Sequence, residues 1–457
     1  MNTESADTDS LALRRQVAYA APAPALALMG TAFYVFIPKF YSDVVGVGLG
    51  TLSLVVLLSR VWDAVIDPVA GHLSDRTWTR WGRRRPWMAL AAAPLALSFL
   101  CVTTPPPFGT VGAGVWIAVW TFLLFLFWTA VVVPYEALGP ELTFDHDTRN
   151  RLFGWREGGM LLGTVLAAVL PELLRAWTGG GPAGERMRFL QLGLIASVLL
   201  LLAVTVCVRS LPERRLAESQ RPTPLSFASL RTVVELRPFR ILLIAYTISA
   251  LGSQLPATLI LFYVEYVLGS PYGGLFLLLY LATGFVFIPL WVKLGARFEK
   301  RTAWIAAMAV NTVAFAGVAL LSRGDLVLYG LLVALSALGL GGTVVLPASM
   351  EADVIDCDEA ETGVRREGVF SGLWSVCRKF AAALGAGVGL AVLNAAGYVP
   401  NAEQPDSARH ALRVLYAVVP CACNLLAIVV AWRYPITRRM HVELRRSIDA
   451  RREAARQ

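Results

Sequence analysis

Along this chain, apolar runs of the length needed to cross a bilayer, about 20 residues each, alternate with short polar segments. Twelve such runs fall at 17–40, 46–72, 87–104, 113–138, 153–174 and 189–208, then at 239–267, 272–294, 302–321, 326–350, 368–396 and 411–432. A longer polar stretch, 209–238, carries Pro212, Pro222, Pro224 and Pro238 and separates the first six from the last six. The pattern predicts an all-α membrane protein of two six-helix bundles. Its expected parts are a tail at 1–16, bundles at 17–208 and 239–432, a linker at 209–238 and a basic tail at 433–457. No cleavable leader is expected, because the first apolar run follows Arg14 and Arg15 and is too long for a signal core.

Basic residues gather in alternate connections. Arg76, Arg80, Arg83, Arg84 and Arg85 follow the second run, a group of arginines fills 209–238, and Arg297, Lys300 and Arg301 follow the eighth. Arg365 and Arg366 follow the tenth, while the connections at 103–108 and 269–273 are nearly uncharged. This bias places both termini and the even-numbered connections on the cytoplasmic side. Composition agrees: 56% of the 457 residues are hydrophobic and only 16% charged, against roughly a quarter charged in soluble domains. The net charge of +9 belongs to orientation and not to nucleic acid. Cys421-Ala-Cys423 has no accompanying His or second Cys pair, so the six cysteines are expected to pack as small apolar residues. The four histidines, at 72, 146, 410 and 441, form no cluster in the sequence. No enzyme chemistry and no cofactor beyond a coupling ion are expected.

Inside the second run, Asp63 and Asp67 stand four residues apart. On a helix they are neighbours, with Cβ atoms roughly 5–6 Å apart. One charge near the bilayer centre costs about 2.5–3.5 kcal/mol on insertion scales. A second of like sign adds to that unless a cation, a proton or a basic side chain neutralises the pair. The simplest use of such a pair is to bind a cation and couple its movement to something else. Arg60, three residues before Asp63, offers the alternative of a structural ion pair.

Two segments recur at matched places in the halves. Gly71-His-Leu-Ser-Asp75-Arg76 follows the second run and Gly295-Ala-Arg-Phe-Glu299-Lys300-Arg301 the eighth. Glu141, Asp145, Asp147, Arg149 and Arg151 follow the fourth run; Glu351, Asp353, Asp356, Arg365 and Arg366 follow the tenth. Such echoes mark transporters built from two repeats rocking about a central site.

Gly71-His-Leu-Ser-Asp-Arg-Thr-Trp-Thr-Arg-Trp-Gly-Arg-Arg-Arg-Pro-Trp87 resembles the connection after the second helix of major facilitator transporters. Its Arg-Pro-Trp ending is similar to one branch, the glycoside–pentoside–hexuronide:cation symporters, or melibiose permease-like proteins. Tyr41-Ser-Asp-Val-Val-Gly46, Trp62-Asp-Ala-Val-Ile-Asp-Pro68, Val133-Pro-Tyr-Glu-Ala-Leu138, and the stretch from Asp353-Val-Ile-Asp to Gly372 agree. The resemblance covers nearly the whole chain and implies solute uptake driven by Na+ or H+ through alternating access. In this family a cation lies by two helix-two aspartates, a helix-four threonine and a helix-eleven lysine. By motif these fall on Asp63, Asp67, Thr129 and Lys379. Ile66 stands where the family's sodium-using sugar carriers often have asparagine, which leaves sodium and proton both open.

The family's two sugar-gripping acids are replaced here, near Ala27 and at Val132, which argues against a galactoside bound in that way. Substrate contacts are expected among Tyr34, Trp128, Tyr135, Glu136, Arg156, Gln254 and Trp374. Packing is the competing role for the aromatics, a gate for Glu136, and an ion pair with Glu157 for Arg156. Gate residues are expected at Asp75, Arg76, Arg83 and Glu141, and at Glu299, Arg301 and Asp353. Acidic loops at 141–147 and 351–358 would supply their partners; the arginines also suit anionic lipid.

The sequence thus reads as a monomeric, multi-pass symporter of the cell membrane that moves Na+ or H+ with a sugar or glycoside-type solute. A lysophospholipid or other amphiphile is the alternative cargo, and a membrane receptor or enzyme is the alternative from another class. Membrane lipids and a small-molecule or amphiphilic substrate are the expected partners, and no nucleic acid.

Overall fold

The computed structural model describes residues 12–77, 79–142, 146–211, 232–362, 367–441, 443, 444 and 446. Most of the two expected tails, residues 212–231 of the expected linker, and the side chains of Asp75 and Glu141 lie outside the described residues. Among the described residues, twelve helices are long and apolar enough to cross a membrane. They are α1 Leu13–Val45, α2 Leu49–Ser74, α3 Arg85–Thr103, α4 Thr110–Gly139, α5 Arg151–Thr178 and α6 Gly181–Ser210. The second six are α7 Arg237–Tyr266, α8 Gly273–Arg297, α9 Lys300–Val318, α10 Leu326–Thr362, α11 Gly372–Ala395 and α12 Asp406–Ala431. The chain divides into two compact units, Met1–Arg221 with Pro400–Ala402, and Pro222–Val399 with Glu403–Gln457.

Hydropathy finds every one of these helices but misplaces two ends by eight residues or more. α6 starts at Gly181 and not 189, because its charged first turns find partners: Arg188 pairs with Glu185 at 3.0 Å, and Arg186 donates to the Pro105 carbonyl at 3.1 Å. The expected acidic loop at 351–358 is instead the last part of α10, which runs on to Thr362. There Glu351, Asp353, Asp356 and Asp358 are all buried, and helix persists because basic groups from neighbouring segments meet at least two of these acids, as described below.

The units repeat one packing plan: first helix on fifth, second on fourth, third on sixth. In the first unit, α5 presents Gly159 and Gly163 to α1. A Cβ on Gly163 would sit 2.1 Å from the Pro24 carbonyl oxygen, so the two backbones touch. In the second unit, Gly385 of α11 meets Gln254 of α7 in the corresponding place, where an added Cβ would lie 2.6 Å from the Gln254 Cβ. Small residues at crossings let membrane helices gain dispersion contact where no hydrophobic force draws them together.

Among the described residues, two helices contain π-helical turns. α1 widens into π-helix at Ala32–Phe36 and again at Tyr41–Val45, and α12 does so at Val414–Val418. Such turns are rare and frequent at functional sites. α2 is sided. Leu54, Leu58, Val61, Val65 and Val69 are exposed at helical spacing, while Ser59, Asp63, Ile66 and Ala70 are buried on the other face. The apolar stripe suits lipid, and the carboxylates point into the unit.

Candidate functional site

Asp63 is 2% exposed and Asp67 is half-buried, one turn apart on α2. Pro68, inside the same helix, removes a backbone donor at that level. Thr129 of α4 is 1% exposed, and its hydroxyl lies 3.2 Å from Asp63 Oδ1 and 2.9 Å from Asp67 Oδ1. Trp62 helps fix the two helices by donating its indole N–H to the Phe122 carbonyl at 3.2 Å.

A threonine hydroxyl has one proton to give. It donates to one carboxylate at a time, and the other contact sets lone pair against lone pair. A proton on one carboxyl group, or a hard cation among the oxygens, relieves that conflict. Oxygens from two helices therefore converge on a point where either guest can be held. Among the described residues, no group of three or more His, Cys, Asp or Glu is placed to hold a metal ion. Lys379, matched by motif, lies half-buried on α11 of the second unit.

Beside the carboxylates lies Arg60. Its Nη1 is 3.4 Å from Asp63 Oδ2. Its guanidinium carbon stands 4.2 Å from the centre of the Tyr34 ring and 4.9 Å from that of Phe125. Arg60, Tyr34 and Phe125 border a cavity of about 70 Å³, closed further by Met29, Phe33 and Trp128. The first π-helical segment of α1 carries Phe33 and Tyr34, and both rings reach Phe125 of α4, at 5.3 and 6.5 Å between centroids. Sequence reasoning paired Arg60 with Asp63 and missed its aromatic clamp. The only signal was an arginine inside an apolar run.

Of the other expected substrate residues, Tyr135, Glu136 and Arg156 gather about Tyr19. Tyr135 is buried and donates its hydroxyl to the Tyr19 carbonyl at 2.9 Å, with the two rings 5.0 Å apart. Glu136 is exposed. Arg156 pairs with the adjacent Glu157 at 2.6 Å, and Tyr19 and Glu136 lie within its electrostatic reach. Gln254 is half-buried at the α7–α11 crossing. Trp374 stacks on Tyr246 with ring centres 3.9 Å apart.

Of the expected gate residues, Arg76 is exposed and Arg83 half-buried at the end of α2 and in the turn that follows. In the second unit the three expected residues meet the stretch after α12, the start of what the sequence reads as a basic tail. Lys300 Nζ bonds both oxygens of Asp353 at 2.7 Å. His441 Nε2 lies 3.0 Å from Asp356 Oδ2 and 3.3 Å from Asp353 Oδ1. Glu299 accepts from the Arg438 amide at 3.0 Å. Arg301 donates to the Trp432 and Tyr434 carbonyls at 3.2 and 3.1 Å. The segment 432–441 is thereby tied to α9 and α10. His441→Ala is expected to raise the rate of tryptic cleavage at Arg438 and Arg439 several-fold in the purified protein. Equal rates would assign the tether to the Arg301 and Glu299 bonds alone.

The family model of MFS/sugar transport proteins matches residues 18–438. A glucuronide carrier protein homolog of Escherichia coli is 29% identical over 92% of this chain and 92% of its own length. The sodium-dependent lysophosphatidylcholine symporter 1 of Xenopus tropicalis is 24% identical over 94% of this chain and 88% of its own. A bacterial homolog of the human lysosomal transporter Spinster shares the fold, with a TM-score of 0.65, 12% identity, and coverage of 95% of this chain and 96% of that one.

Proposed function

The chain belongs to the MFS/sugar transport protein family and is a multi-pass membrane protein, and from that premise we propose that it is a symporter in which Asp63, Asp67 and Thr129 hold the coupling cation. The observation that carries this reading is the Thr129 hydroxyl set between two carboxylates on the inward face of α2. Empty, the pair repels in a medium that screens poorly; occupied, it is neutral enough for its helix to move. Binding the cation therefore changes which conformations are cheap, which is the basis of alternating access.

The cargo that fits best is a sugar or glycoside-type solute, in keeping with the family and with the glucuronide carrier homolog. Lysophospholipid is the second reading. It is favoured by the aromatic and aliphatic lining beside Arg60, and by likeness to the lysophosphatidylcholine symporter. Both readings use one cation site and neither needs catalysis.

The test is uptake into proteoliposomes under an imposed Na+ gradient and, separately, an imposed proton gradient. Methyl glucuronide, methyl glucoside and lysophosphatidylcholine are offered in turn. One gradient is expected to drive accumulation of one cargo class above equilibrium. Equilibration of every cargo with neither gradient effective would remove the symport reading. Lys379→Gln tests the role that its motif implies, with an expected loss of gradient-driven uptake.

A further inference from the structure

Among the described residues lining the Tyr34–Trp128 cavity, Arg60 alone is charged. Its side chain is 11% exposed. A desolvated guanidinium is expensive in an apolar bundle, and two features keep it there. The faces of Tyr34 and Phe125 hold it by cation–π attraction, which leaves its N–H edges to point along its own plane. Asp63 meets one of those edges at 3.4 Å, long beside the roughly 2.7–2.9 Å of a full charge-assisted bond. Close by, the Tyr34 hydroxyl is buried with no hydrogen-bond partner among the described residues. Such a hydroxyl can still donate one hydrogen bond and accept another.

We propose that this cavity is an oxyanion subsite: the transported solute carries a carboxylate, sulfonate or phosphate group, and Arg60 with the Tyr34 hydroxyl receives it. The inference rests on the symport reading above and names its substrate class. Size agrees. A cavity of about 70 Å³, at roughly 10–15 Å³ for each water-sized guest, has room for an oxyanion group of four or five heavy atoms. Sign agrees as well, since the lining offers a cation and no carboxylate to compete with an anion.

The shared arginine also supplies the coupling. While the cation site is empty, Asp63 draws Arg60 toward the carboxylates. A cation or proton on the Asp63–Asp67 pair weakens that draw and releases the guanidinium to the cavity. Cation therefore raises affinity for the anionic solute, and by linkage the solute raises affinity for the cation by the same factor.

The test uses the full-length protein in detergent and three matched pairs: methyl glucuronide against methyl glucoside, isethionate against ethylene glycol, and glycerol phosphate against glycerol. Affinities come from ligand-induced thermal shifts, with and without Na+ at two pH values. The sulfonate keeps its charge at both. The acid of at least one pair is expected to bind more tightly than its neutral partner, and the margin to grow when the cation site is filled. Arg60→Gln is expected to weaken that acid about tenfold or more, the scale of a lost charge-assisted bond. Asp63→Asn is expected to tighten it and to remove its cation dependence. If Arg60→Gln does not fold, Tyr34→Phe is the second variant, with a several-fold loss for the acid alone. The proposal is overturned if no acid exceeds its partner, or if acid affinity survives in a folded Arg60→Gln or Tyr34→Phe. Gradient-driven accumulation of a neutral solute would leave symport standing while removing the oxyanion subsite; acid binding without accumulation under either gradient would do the reverse.

Discussion

Asp63→Asn abolishes gradient-driven accumulation while solute exchange down its own gradient persists. The buried carboxylate contributes one of the acceptor oxygens around Thr129 and half the negative charge of the pair. An amide keeps the shape and one acceptor but removes the charge that a cation or proton needs. Asp67→Asn has the same expected outcome. Thr129→Val is milder: it removes one hydroxyl, whose single donated bond to a charged partner is worth about 1.5–3 kcal/mol. That corresponds to roughly a ten- to hundredfold loss in apparent cation affinity. The check is initial uptake against cation concentration in proteoliposomes, beside counterflow exchange in the same vesicles. A variant that still accumulates solute as the parent does would show that its side chain is no part of the coupling machinery.

The largest structural effect is expected at Gly163. The position where its Cβ would stand is 2.1 Å from the Pro24 carbonyl oxygen and 2.8 Å from the Ala27 Cβ. Backbone oxygen on a helix cannot swing aside as a side chain tip can, so any side chain there separates α5 from α1. Overpacking typically costs about 1–3 kcal/mol. Here the displaced helix also carries Tyr34 on its far half, so the damage extends to the cavity. Gly163→Val is expected to lose the monodisperse folded species on size-exclusion chromatography, whereas Gly154→Val, with nothing within 4 Å of its Cβ, keeps it. A stable Gly163→Val protein with unchanged melting behaviour would contradict the α1–α5 contact.

How much of this was readable beforehand depends on range. The twelve spans were legible because hydropathy is a local property, and a run of apolar residues has few other uses. The ends of α6 and α10 were not, because Arg186, Arg188, Asp353 and Asp356 look like loop residues until their partners are known. Pro105 lies 81 positions from Arg186, and His441 lies 85 positions from Asp356. Asp63 and Asp67 announced themselves by their helical spacing in an apolar run. Thr129 came from a motif likeness, and no local signal sets its hydroxyl between them. Arg60 shows the limit most clearly. The sequence offered one neighbour, Asp63, three residues away. The rings that clamp it come from a π-helical turn of α1 and from the middle of α4, and neither the turn nor the meeting of three helices is written in a local pattern. Tyr135 illustrates the converse. It had the look of a ligand contact, and its hydroxyl is taken by a backbone carbonyl of α1.

The claim on which coupling depends is that two acids and one hydroxyl hold a cation in exchange for their own repulsion. The most direct measurement is calorimetric cation binding to the purified protein without solute, by Na+ titration at fixed pH and by proton uptake on a pH step. The account predicts one saturable site per chain for Na+ or for H+, lost in Asp63→Asn and in Asp67→Asn. A cation site of undiminished affinity in both variants, or none in the parent protein, would contradict it.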